Sequence, residues 1–65
     1  MPNDIHEGSG IAFIRDGNDP IYGQVTAVSF GTVIWRAMTP DNGFYRMSEE
    51  VISSGDDLRR IYVIP

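Results

Sequence analysis

Sixty-five residues without a cysteine make one small domain that buries only about 60% of the surface its unfolded chain exposes, with neither disulfide staples nor cysteine zinc sites to support it. Five arginines, no lysine and nine acids leave a formal net charge of −4, which withholds the broad positive field that sequence-independent nucleic-acid binding needs. No apolar run approaches the roughly 20 residues of a membrane-spanning helix.

The chain opens with MPNDIHEGSG, acidic and polar, with neither the basic start nor the apolar stretch of a secretory signal. Met1 reads as the start of a whole gene product, and the default location is cytoplasmic. Residues 1–9 read as a flexible N-terminal segment and residues 10–65 as a single small β domain. Oligomerisation is the main device left to stabilise so small a core, which makes a homo-oligomer an open expectation.

From residue 10 the apolar residues come in strand-length runs: GIAFIR at 10–15, IYGQVTAVSF at 21–30, TVIWRAM at 32–38 and FYRMS at 44–48. Each is rich in β-branched and aromatic residues and bounded by turn formers. In the third run Val33, Trp35 and Ala37 share one face while Ile34, Arg36 and Met38 share the other, because strand side chains alternate. Neither face is purely polar, as expected of a central strand. Gly23 within the second run suggests a bulge or bend.

DGNDP at 16–20 connects the first two runs, Gly31 a tight hairpin between the second and third, and TPDNG at 39–43 a second turn, with Pro40 fixing φ and Asn42-Gly43 suited to left-handed positions. Three adjacent antiparallel strands make a meander. After it, SSGDDLRRI predicts a short helical or 3₁₀ turn over 55–59, Ser54 and Asp57 having loosely the spacing of a capping box. RIYVIP forms a last strand. One helix from Ser48 through Ile61 is the alternative, which Gly55 would weaken by about 1 kcal/mol.

This order of strands, loop, meander and brief helical turn, carried by GIAFIR, YGQVTAVSFGTVIWRAM, FYRM and DDLRRIYVI, resembles an SH3-like five-stranded small barrel of the Tudor and KOW kind. A fainter likeness is to type II dihydrofolate reductases, tetramers whose shared pore carries V-Q-I-Y. Here RRIYV keeps only Ile61 and Tyr62, with Arg60 where that family has glutamine, and the chain has no lysine for its phosphate contact.

The residues themselves suggest no catalytic group, metal or cofactor. Asp16, Asn18 and Asp19 offer oxygens, but Pro20 and Ile21 occupy the fifth and sixth positions of any calcium loop counted from Asp16. A turn bonded to its own backbone is the simpler reading. His6 stands alone in the terminal segment, and the pairs Glu49-Glu50 and Asp56-Asp57 have no evident partner to tune them. No phosphate-cradling glycine motif is present.

The aromatics are more informative. The resemblance implies that surface aromatics could form a groove for proline-rich peptides or a cage for methylated cations. Tyr22 and Tyr45, beside turns, are the candidate surface aromatics. Arg36 and Arg46 would form a positive strip next to them or pair with Glu49 or Glu50, and Asp16 and Asp19 are candidate rim charges. The expected function is a non-catalytic module that binds another protein. A nucleic-acid-binding barrel using Arg36 and Arg46 is the alternative, and a reductase-like enzyme comes third.

Overall fold

The computed structural model describes residues 5–64. Five strands follow one another, β1 (Gly10–Phe13), β2 (Ile21–Ser29), β3 (Thr32–Asp41), β4 (Phe44–Ser54) and β5 (Ile61–Val63), with a 3₁₀ helix (Gly55–Arg60) between β4 and β5. All pairings are antiparallel, in the order β4-β3-β2-β1-β5. The protein is therefore mainly β, as its sequence predicts. Among the described residues β4 and β5 do not pair, so the sheet is open where a closed barrel would join them.

One face of this sheet curls around the core. Ile11, Val25, Val33, Trp35 and Ile61 are almost wholly buried and come from four different strands, which a flat sheet could not bring into one cluster. Phe13 stacks on Trp35 with ring centroids 5.6 Å apart, and Leu58 of the 3₁₀ helix packs against the cluster. Trp35 also carries a polar atom inward, and its Nε1–H donates to Ser53 Oγ at 2.9 Å, tying β3 to β4 inside the core. The alternation assigned to TVIWRAM holds, with Val33 and Trp35 inward and Arg36 outward.

Two irregularities bend the sheet. The register shifts between Val25 and Ala27 on β2 and again where Arg36 faces Glu50 but Met38 faces Met47, leaving an extra residue in β4. Bulges of this kind sharpen the local twist. The expected bulge at Gly23 is not there, for Gly23 pairs regularly with Ala37. Its hydrogen side chain answers to something else: a Cβ built there would lie 2.5 Å from the Arg36 carbonyl and 2.6 Å from Trp35 Cε3. Glycine is required by the close approach of Trp35.

The turns differ from expectation in one place. Asn42 and Gly43 both have positive φ (51° and 83°), as a two-residue hairpin of type I′ demands. Pro40, expected in that turn, lies within β3 opposite Tyr45. Counting outward from the closing pair Asp41–Phe44, it occupies a non-hydrogen-bonded site, where its missing N–H would point away from β4. β2 pairs with β3 only as far as Ala37, so no ladder bond is lost there.

β4 runs unbroken to Ser54, which overturns the alternative of a helix from Ser48. The predicted helical turn is present over Gly55–Arg60, but Ser54 makes no side-chain cap bond, so the loose capping box is not realised. Residues 5–9 do not stand off from the domain. Ile5 and Ser9 are buried, Gly8 N–H donates to Val25 O at 2.9 Å, and Val25 N–H donates to Ser9 O at 2.9 Å. Residues 1–4 of the expected flexible segment lie outside the described residues.

Candidate functional site

Of the sequence-predicted residues, the outer face of the sheet carries Tyr22, Tyr45 and Arg36. On β1, Ile11 and Phe13 turn inward, so Ala12 turns outward. Its register partners are Tyr22 on β2 and Tyr62 on β5. Tyr22 and Met38 line one cleft together with Pro20, Thr39 and Pro40, and Met38 in turn faces Met47 on β4. The result is a line of apolar and aromatic side chains, Met47, Met38, Tyr22, Ala12 and Tyr62, crossing all five strands in sheet order. Tyr22 is 53% and Tyr62 57% exposed.

Tyr45 extends this line. It stands opposite Pro40, which with Pro20 borders the Tyr22 cleft, so the two candidate tyrosines share one face. Beyond Tyr62 the line ends in a smaller cleft formed by Ile14, Asp16, Asp56, Arg59 and Arg60. The row above is polar, with Gln24, Arg36 and Glu50 on consecutive strands. This polar row separates the aromatic line from Ile52 at the other end of the sheet.

The charges are arranged differently from the expected strip. Arg36 points outward beside Gln24, but Arg46 faces Thr39, on the reverse of the projecting β3–β4 ribbon, and pairs with Asp41 at 2.9 Å. Neither arginine pairs with Glu49 or Glu50 among the described residues, although Glu50 lies opposite Arg36. Glu50 Oε2 instead lies 3.1 Å from Thr26 Oγ1. Arg59 and Arg60 pair with Asp56 and Asp16 at 3.5 and 3.4 Å.

The loop before β2 folds on itself. Arg15 donates from Nε and Nη2 to the Asp19 carbonyl at 3.2 and 2.8 Å, and Asn18 Nδ2 donates to the Asp16 carbonyl at 3.1 Å. Asp16 and Asp19 thus flank two different clefts, Asp16 on the Tyr62 side and Asp19 on the Tyr22 side. Among the described residues no three of His, Asp and Glu converge as metal ligands would. His6 is exposed and its Nδ1 lies 2.9 Å from the Glu7 carbonyl.

Sequence reasoning missed Ala12, Met38, Met47 and Tyr62 as members of this surface. The signal for Tyr62 was present, since in RIYVI a tyrosine alternates with inward Ile61 and Val63. What the sequence could not show is that Tyr22 and Tyr62, forty positions apart, are both register partners of one alanine.

Compared with known protein families, with curated proteins and with solved structures, the chain matches none.

Proposed function

We propose that this chain is a small SH3-like open barrel acting as a non-catalytic interaction module, which takes an extended segment of another protein across its outer face. The strand order and the 3₁₀ helix before the last strand support the fold reading. The observation that carries the function is the aligned row Met47, Met38, Tyr22, Ala12 and Tyr62, apolar throughout and half-exposed or more at both tyrosines. Tyrosine suits such a surface because it offers a large apolar ring and a polar tip at little entropic cost.

Nucleic acid is the weaker occupant, because three of the five arginines are already engaged by carboxylates. The reductase reading gains no supporting observation.

Selection of a displayed random-peptide library tests the proposal. Peptides enriched on the wild type and lost on a Tyr22→Ala, Tyr62→Ala double variant are the expected result. Enrichment equal on both would overturn it. A second copy of the chain is the competing occupant, and concentration-dependent sedimentation that disappears in the double variant would identify it.

A further inference from the structure

The two edges of the open sheet differ. β5 is only three residues long, and so short an edge offers little to a new strand. β4, the other edge, has eleven residues and pairs only with β3 among the described residues. Its register breaks at Ser48-Glu49, after which residues 50–54 run regularly against β3 until the 3₁₀ helix begins. Main-chain directions in this stretch follow from two side-chain bonds. Ile34 O accepts from Thr26 Oγ1 on β2 at 3.1 Å, and Ala37 N–H donates to Ser48 Oγ on β4 at 3.0 Å. Ile34 and Arg36 therefore turn their main-chain groups to β2, and Trp35 and Ala37 turn theirs to β4. Ile34 stands opposite Ile52 and Arg36 opposite Glu50, both as non-hydrogen-bonded pairs. Ile52 and Glu50 thus aim their own N–H and C=O groups at the open edge, where no main chain of the described residues meets them.

The side chains select the strand that fits there. Ile52 is 69% exposed and ends an apolar row with Ile34 and Ala27, its register neighbours across β3 and β2. An apolar residue opposite Ile52 would extend that row. Glu49 and Glu50 precede it, both exposed and in no ion pair among the described residues. The Glu50 carboxylate lies against the Thr26 hydroxyl, which leaves its charge in place. Asp56 and Asp57 follow the stretch at its other end. These acids disfavour a second copy, because antiparallel self-pairing centred on Ile52 would bring Glu49 and Glu50 of each copy toward Asp56 and Asp57 of the other. The same charges attract a cationic strand. β3 shows a sequence that suits β4, with an isoleucine opposite Ile52 and an arginine opposite Glu50.

We infer that the free edge of β4 over residues 50–54 takes an antiparallel strand from a basic protein segment. In that segment an apolar residue faces Ile52, and an arginine or lysine two positions later faces Glu50. The surface is separate from the tyrosine row and does not rest on the outer-face reading.

The probe is the peptide KTTITRK, whose isoleucine and arginine have this spacing, titrated into the whole chain and followed by amide hydrogen exchange. In the free chain the Val51 and Ser53 amides, turned to β3, exchange slowly and the Ile52 amide fast. Saturating peptide should slow Ile52 at least about fivefold. N-methylation of the peptide isoleucine, whose N–H would donate to Ile52 O, should weaken binding at least about fivefold. N-methylation of the threonine after it, whose N–H points away from β4, should change binding less than about twofold. The charge-reversed peptide ETTITEE should not bind. Equal effects of the two methylations, equal binding of ETTITEE, no binding of KTTITRK, or protection centred away from 50–54 would overturn the inference. So would an Ile52 amide already protected in the free chain and more so at higher concentration, which would give the edge to a second copy. The two proposals fail separately. Library peptides that need both tyrosines, with KTTITRK not binding, would sink the edge alone. KTTITRK protecting Ile52, in a chain whose library peptides ignore both tyrosines, would sink the outer-face reading alone.

Discussion

Replacing Gly23 with alanine adds one methyl group at the point where β2 and β3 pass over Trp35. That carbon would sit 2.5 Å from the Arg36 carbonyl oxygen and 2.6 Å from Trp35 Cε3, distances that van der Waals radii forbid. The Arg36 oxygen belongs to the backbone of β3, so β2 and β3 must part locally and the indole must move as well. Overpacking of this kind costs about 1–3 kcal/mol. A displaced indole also loses its bond to Ser53, leaving buried polar atoms unpaired at about 1–3 kcal/mol. Its stacking on Phe13 adds about 0.5–1.5 kcal/mol. Against this, alanine is better than glycine in a strand by only about 0.5–1 kcal/mol. The clash wins by roughly 1.5–7 kcal/mol, a span that reaches all that a core of this size supplies. Thermal melting followed by near-ultraviolet circular dichroism should show Tm lowered by at least about 6 °C, or no cooperative transition at all. A Gly23→Ala chain that melts within about 3 °C of the wild type with an unchanged tryptophan signal would refute the packing argument.

Ser53→Ala should lower stability by about 1–3 kcal/mol in urea denaturation, because Trp35 Nε1–H is left buried without an acceptor. A loss below about 0.5 kcal/mol would mean that the indole finds another partner. Pro40→Ala should cost no more than about 1 kcal/mol, through the freer unfolded chain alone, since Pro40 occupies a site where no ladder donor is needed. A larger loss by the same measurement would place that backbone nitrogen elsewhere. Arg60→Gln should change stability by less than about 1 kcal/mol, its pairing with Asp16 being long and exposed.

Much of the fold could be read in the sequence because short β-rich runs alternate with turn formers. Period two alone put Val33 and Trp35 on one shared face, without saying which face is inward, and Asn42-Gly43 announced its hairpin. The reading failed where tertiary contact outweighs local preference. Pro40 is tolerated in β3 only because β2 has already ended, and Gly23 is fixed by a tryptophan twelve positions away rather than by backbone bending. Ile5 joins the core although its neighbours are polar, through main-chain bonds of Gly8 and Ser9 to Val25. For the candidate site, Tyr22 and Tyr45 were legible as turn-adjacent tyrosines. The separation of Arg36 from Arg46 depends on the hairpin register, which sets Arg46 opposite Thr39, three positions from Arg36 and therefore on the other face of β3.

The central claim is that the outer row centred on Tyr22 and Tyr62 is the binding surface. The most direct measurement is the affinity of one selected peptide for the wild type and for Tyr22→Ala, with a thermal melt of each. We predict a loss of at least about tenfold, as removal of an aromatic anchor produces, with Tm nearly unchanged because Tyr22 is 53% exposed. An unchanged affinity, with amide shifts clustering around Phe30 and Ile52 at the other end of the sheet, would contradict the account.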